Sequence, residues 1–236
     1  MTRALQLPDQ ELKLETVFED DFSGETGQWL AEGGATVQVR DGRMGFDAWN
    51  AKPQVETVWC RQAVEGDCVV EYTVRVDPGE GNTNLNFFLY ATNPDGSSVL
   101  DTTAQRTGAY AEYHKIPNYI VTYLNSDDRD KQDANTEDPS KLRVRVRFRK
   151  DPGFNLLCET WREPAIAKGR DYRFTIVVRD DRTQLYVDGE AVFDHVEAAP
   201  LLRRGHHGFR TWATRVSVDE FRISRIVAAS GDGAKK

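Results

Sequence analysis

Tyrosine, histidine and arginine, at particular spacings, are the groups in this 236-residue chain with reactive potential. Gly108–Tyr119 carries Tyr110, Tyr113, His114, Lys115 and Tyr119 within a dozen residues. A histidine titrates near neutrality, and a tyrosine is activated by neighbouring cations, so this set suits proton transfer beside a carboxylate. A packed Tyr/His turn would read the same way, and the cluster alone does not separate the two. Arg143-Val-Arg-Val-Arg-Phe-Arg149 is more directional, because side chains alternate along a strand. Its four arginines share one face and Val144, Val146 and Phe148 the other.

The same alternation sorts other segments. Asn84, Asn86, Phe88 and Tyr90 fall on one face of their strand, with Leu85, Phe87 and Leu89 behind. Tyr119 pairs with Tyr123, Arg210 with Trp212, and Trp59 with Arg61. Solvated strand faces mix Lys, Thr, Glu and Ser, whereas repeated pairs of aromatic and Arg suit a sugar-binding face. Aromatic rings stack on sugar rings, and the guanidinium fork matches a carboxylate. A concave ligand-binding face is therefore preferred over a bland surface. In Gly205-His-His-Gly-Phe-Arg210 the two histidines point to opposite faces, which assigns His206 to the face of Gly208, Arg210 and Trp212. Asp21 near the first strand and Asp219 in the last are candidate ligands for a structural calcium ion, against a reading as turn-forming acids.

The elements that must position these groups are strands throughout. About a dozen short β-branched or aromatic runs are bounded by Gly, Pro, Asn or Asp, with turns at Asp41-Gly42, Asp95-Gly96, Asp180-Asp181 and Asp188-Gly189. Short helical turns are expected near Val99–Thr107 or Thr160–Lys168, and an exposed loop over Asn125–Lys141. The pattern predicts an all-β, two-sheet antiparallel sandwich over residues 16–226, with an extension over 1–15 and a flexible tail over 227–236. Cys60, Cys68 and Cys158 make neither a disulfide nor a zinc framework. There are 31 Lys+Arg against 38 Asp+Glu, a net charge of −7, which argues against nucleic acid as a partner. No apolar run is long enough for a membrane span, and polar Met1–Glu15 lacks a signal peptide's apolar stretch, so a cytoplasmic location is expected. Of the 31 cations 22 are Arg, an excess that fits fork-shaped carboxylate recognition better than diffuse attraction.

Several segments carry a family resemblance in order: Asp-Asp-Phe-Ser-Gly, Asn-Leu-Asn-Phe-Phe, Gly-x-Tyr-x-x-Tyr-His, Asn-Tyr-Ile-Val-Thr-Tyr, Arg-Phe-Arg-Lys-x-Pro-Gly-Phe, and Gly-Phe-Arg-Thr before Val-Asp-Glu-Phe-Arg-Ile. From Phe18 to Ile223 the chain resembles concanavalin-A-like jelly-roll proteins of bacteria, in particular the YesU-like family associated with rhamnogalacturonan utilisation. The resemblance implies a two-sheet β-jelly roll whose concave face binds carbohydrate, in a group that includes polysaccharide lyases and glycoside hydrolases; fold alone does not choose the reaction.

A glycosidase needs two carboxylates about 5–9.5 Å apart. The Glu-x-Asp-x-x-Glu strand of jelly-roll glucanases is absent, and neither Glu112 nor Glu159 has an evident partner. A lyase acting on uronic acids needs a cation for the carboxylate, a base for the C5 proton and an acid for the leaving oxygen. The chain offers Arg147, Arg149 or Arg210 for the first, His114 or Tyr113 for the second, and Tyr119 or Tyr123 for the third. Asn84, Asn86, Trp59, Arg61, Tyr90, Tyr110, His206 and Trp212 complete the expected binding face. The expected function is β-elimination on an acidic, uronic-acid-containing oligosaccharide, with no cofactor required. A glycoside hydrolase and a non-catalytic carbohydrate-binding protein are the alternatives.

Overall fold

A computed structural model describes residues 2–24, 26–33, 36–127 and 141–227. Its strands, numbered in chain order, form two antiparallel sheets. The nine-stranded sheet contains β1 (Thr2–Gln6), β2 (Glu11–Asp20), β4 (Gln38–Arg40), β5 (Arg43–Asp47), β7 (Cys68–Val76), β12 (Asp171–Arg179), β13 (Arg182–Val187), β14 (Glu190–Val196) and β16 (Arg215–Ile226). The seven-stranded sheet runs in the order β11 (Asn155–Arg162), β10 (Arg143–Asp151), β9 (Asn118–Ser126), β8 (Leu85–Ala91), β15 (Arg204–Trp212), β6 (Val55–Glu65) and β3 (Trp29–Glu32). This is the two-sheet sandwich the strand pattern predicts, with the jelly roll that the resemblance implies.

Alternation drives the layering. Val144, Val146 and Phe148 of β10 and Leu85, Phe87 and Leu89 of β8 turn inward, where they meet Tyr72, Phe174 and Phe221 of the opposite sheet. Aromatic pairs knit the core: Tyr72 and Phe174 stack at 5.1 Å, and Phe87 meets Phe209 edge-on at 4.9 Å. The hairpin turns fall where the sequence places them, with Asp41, Gly42, Asp188 and Gly189 all at positive φ as a tight right-twisted hairpin requires.

Two expectations are corrected. The segment before residue 16 is no extension, since β1 pairs with β2 and β2 with β16. Leu12 and Leu14 alternate with polar residues there and are buried against Val69, Val177 and Tyr186. The helical turn near Val99 exists, as a 3-10 turn over Val99–Gln105, but Thr160–Arg162 continues β11. Most of the expected loop (128–140), and the expected tail beyond Val227, lie outside the described residues. Among the described residues no helix is long and apolar enough to cross a membrane.

One irregularity re-aims side chains near the site. His206 pairs with Ala91 but Gly208 with Phe88, so β8 and β15 slip register between them. Tyr90, at φ 53°, takes up the slip, and both Leu89 and Tyr90 face the core. Gly205 makes this possible: at φ 145°, a Cβ there would lie 2.5 Å from the backbone of Tyr90 and Ala91.

Candidate functional site

The outer face of the seven-stranded sheet carries two different surfaces. Over one half, the 3-10 turn and a short helix α1 (Tyr110–Tyr113) bury an apolar cluster of Trp59, Phe88, Val99, Tyr113, Ile116 and Ile120. The other half stays open as a cavity of about 290 Å³, lined by Val55, Asn84, Asn86, Tyr110, Thr122, Arg147, Phe154, Arg210 and Trp212. Alternation explains the floor, because Asn86 stands opposite both Thr122 and Arg210 in the neighbouring strands. Asn86 Nδ2 donates to Asn84 Oδ1 at 2.7 Å and its Oδ1 accepts from Thr122 Oγ1 at 2.9 Å, so the floor is rigid.

Cations dominate the walls. Arg210 lies with its guanidinium carbon 4.5 Å from the Tyr110 ring centre. Arg149 stacks over Phe154 at 4.0 Å and donates from Nη1 to the Phe154 carbonyl at 3.1 Å. Arg147 is only 8% exposed, and its Nε has no hydrogen-bond partner among the described residues. Among the described residues that line the cavity none is a carboxylate. Glu159 is drawn to Arg145 at 2.8 Å, and Glu112 accepts from the Thr107 backbone. Desolvation lowers the pKa of Arg147 and Arg149, the expected signature of guanidinium groups held away from water.

Two proton-transfer groups meet these cations. Tyr110 has its pKa raised by burial, against the opposing pull of its hydrogen bond with Thr122 and of the Arg210, Arg147 and Arg149 charges, so it is a phenol at neutral pH. His114 sits between Phe154, stacked at 3.7 Å, and Tyr110, edge-on at 4.6 Å. Burial, helped by Arg149 and Arg210, pushes His114 down to about 4, leaving a neutral imidazole whose buried Nε2 has no partner among the described residues. Tyr110 thus lines the cavity as a neutral acid, and neutral His114 stands behind the lining, packed between Tyr110 and Phe154.

The remaining candidates stand elsewhere. Tyr113 is fully buried, its hydroxyl 2.6 Å from Glu32 Oε1 and 2.8 Å from Thr57 Oγ1. Burial and Glu32 push its pKa up, so it is no base. Tyr119 and Tyr123 face the core, on the opposite side of the sheet from Arg147. Tyr119 donates to Glu197 at 2.6 Å, and Tyr123 packs edge-on to Phe174, with burial pushing it up to about 12. Tyr90, turned inward by the register slip, donates to the Gly66 carbonyl at 2.7 Å. Trp59 is on the outer face but fully buried, stacked on Phe88 and donating to Glu32 at 2.9 Å. Arg61 donates to the Gly27 carbonyl at 3.0 Å, away from the cavity. His206 lies under the 3-10 turn, its ring nitrogens 3.0 Å from the Cys60 carbonyl and 2.9 Å from Ser98 Oγ.

Asp21 and Asp219 do not converge as calcium ligands. Asp21 accepts from Ser23 backbone and hydroxyl, and Asp219 pairs with Arg43 at 3.4 Å. Among the described residues no group of three or more His, Cys, Asp or Glu forms a metal cluster. Three lining residues, Val55, Thr122 and Phe154, are not among the candidates the sequence offers. Thr122 lies between Tyr119 and Tyr123, whose shared face drew attention away from its own. Phe154 sits at φ 57° after Pro152-Gly153, presented by a turn whose backbone N–H is capped by Asp151.

The comparisons with known proteins agree with this architecture. The chain belongs to a family of domains of unknown function, DUF6250, whose description matches residues 51–221 and so includes every cavity residue. No curated protein matches it. A Bacillus subtilis protein of unknown function with a galectin-like fold superposes with a TM-score of 0.74 at 17% identity, over 97% of this chain and 100% of the other. A carbohydrate-binding module, CBM66, from Bacillus subtilis gives a TM-score of 0.56 at 12% identity, over 84% of this chain and 96% of the module. An endo-β-1,3-glucanase from Pyrococcus furiosus gives 0.58 at 11% identity, over 96% and 99%. At these identities the likeness establishes the galectin- and concanavalin-A-like jelly roll.

Proposed function

We propose that this member of the DUF6250 family binds an acidic oligosaccharide on the outer face of its seven-stranded sheet and cleaves it by β-elimination. The observation that carries the reading is a cavity walled by Arg147 and Arg210, with Arg149 beside it, in which no described lining residue is a carboxylate. Such a site holds anionic charge in fork-shaped hydrogen bonds, and buried Arg147 has a donor to spare. A sugar ligand is supported by the fold, since similarly folded structures include a carbohydrate-binding module, an endo-β-1,3-glucanase and a VIP36 domain with bound mannose. An arrangement of Trp212, Tyr110 and Phe154 around the arginines suits the apolar faces of sugar rings.

In the reaction, the arginines accept the uronic carboxylate and spread its charge, which acidifies the C5 proton. Neutral His114, packed between Tyr110 and Phe154 just behind the lining, takes that proton through Nε2 once its ring turns toward the ligand. The C5–H electron pair becomes the C4–C5 double bond as the C4–O bond breaks, and the Tyr110 phenol protonates the departing oxygen. Hydrolysis by paired carboxylates is disfavoured, because the described lining supplies neither member of the pair.

The test is incubation with a panel of uronic-acid oligosaccharides, followed by ultraviolet absorbance of the unsaturated product and by calorimetric binding. Saturable binding with product is expected. Binding without product across the panel would reduce the site to a lectin-like one, and no binding at all by folded protein would overturn the reading.

A further inference from the structure

A second cavity, of about 620 Å³, lies at the sandwich edge between β5, β6 and β16 and shares no lining residue with the first. It is lined among others by Asp47, Asn50, Glu56, Arg75, Asp77 and Arg215. β3 pairs with β6 only from Cys60 to Thr57, so Val55 and Glu56 run beyond it at the sheet's edge. Their side chains turn to opposite faces, Val55 to the arginine cavity and Glu56 to this one.

Glu56 is the unusual member. It is 5% exposed, and among the described residues its buried Oε2 has no hydrogen-bond partner, while the side chain lines open space. A buried polar oxygen left unpaired is uncommon and marks an unmet contact. Burial pushes Glu56 up to about 7, the Thr36 and Asp47 backbone N–H groups opposing, so the oxygen carries a proton for part of the neutral range. Of the five cations in the lining, Arg215 pairs with Asp47 at 3.2 Å, Arg75 and Arg43 pair with Asp171, Arg40 bonds the Gln38 side chain, and Lys52 completes the set. The lining sets these five cations against Asp41, Asp47, Asp77 and Glu56 in near balance and mixes donors with acceptors, which suits a neutral polyhydroxylated ligand better than an anion.

We propose that this edge cavity is a second, independent subsite for a neutral sugar residue, with a sugar hydroxyl hydrogen-bonded to Glu56 Oε2. The experiment follows carboxyl ¹³C resonances of protein labelled at glutamate while glucose, galactose, mannose and rhamnose are added separately. One or more of the four should shift the Glu56 resonance saturably. Glu56→Gln, which keeps a donor and an acceptor, should retain binding within a few-fold, whereas Glu56→Leu should weaken it at least tenfold. Arg147→Ala, in the other cavity, should leave this binding unchanged even if the acidic-sugar reading fails. No saturable shift with any of the four sugars, or equal binding by a folded Glu56→Leu variant, would overturn the proposal.

Discussion

Arg147, Tyr110 and His114 act through environment more than identity. A guanidinium at the surface contributes little, but one 8% exposed with a spare donor gains a charge-assisted bond when a carboxylate arrives. Arg147→Ala should therefore weaken binding of a uronic-acid oligosaccharide by about ten- to a hundredfold, the equivalent of roughly 1.5–3 kcal/mol, in a calorimetric titration. Tyr110→Phe should abolish product formation while leaving binding within a few-fold, whereas Tyr123→Phe, on the core face, should leave both intact. Loss of turnover in Tyr123→Phe with Tyr110→Phe active would reassign the acid. His114 supplies the pH test. With its pKa near 4, the base form persists down through mildly acid pH, so kcat/KM should hold as pH falls and drop only through about pH 4. An acid limb near the ordinary histidine value would contradict the buried, cation-flanked setting.

At the scale of elements, one buried carboxylate ties the site together. Glu32, at the end of β3, accepts from Trp59 Nε1 at 2.9 Å, from Arg106 Nε at 2.9 Å and Nη2 at 2.6 Å, and bonds the Tyr113 hydroxyl at 2.6 Å. Those partners belong to β6, to the residue following the 3-10 turn, and to α1, the helix that carries Tyr110 over the cavity. Glu32→Ala strands the Arg106 charge in the interior and should destabilise the fold by about 3–5 kcal/mol in urea unfolding. Gly208 is the second constraint, for a Cβ there would sit 2.5 Å from Trp59 Cε3 and 2.9 Å from the Val58 carbonyl. Gly208→Ala should cost on the order of 1–3 kcal/mol through overpacking, read as a lower thermal midpoint. An unchanged midpoint would mean that the strand pair is looser than it stands here.

Across the whole molecule, buried titratable groups set opposing pH slopes. His207 is buried neutral, pushed down to about 3 mainly by desolvation, so it withdraws stability as pH falls from about 6.5 toward about 3. Glu56 is raised to about 7, so the native state holds a proton that the unfolded chain releases above the ordinary carboxylate value. Its contribution therefore declines as pH rises from about 4.5 to about 7. Compared with Glu56→Gln, the wild-type protein should lose on the order of 3 kcal/mol of stability between pH 4.5 and pH 8, measured by urea unfolding at each pH. A constant difference would show that Glu56 ionises freely in the folded state. The net charge of −7 conceals this local arrangement, since the cations that matter are collected on one sheet face.

Period-two alternation made the sandwich and the arginine face legible in the sequence, because a strand's burial pattern is written residue by residue in its order. The faces it sorts bring Asn84, Asn86, Arg147, Arg210 and Trp212 to one cavity, and the crowded Tyr/His segment contributes Tyr110 to the lining with His114 packed against it. Alternation names which residues share a strand face but not whether that face looks inward or outward, and so it pairs Tyr119 with Tyr123 without revealing that both face the core. Nor does it foresee a register slip, which sends Tyr90 to the core. Whether an outward residue stays open or is roofed over depends on contacts distant in sequence: α1 and the 3-10 turn bury Trp59 and Tyr113, while Phe154 closes the other side of the cavity. Those long-range contacts decide desolvation, and desolvation, more than residue type, determines which of the tyrosines, histidines and arginines can meet a ligand.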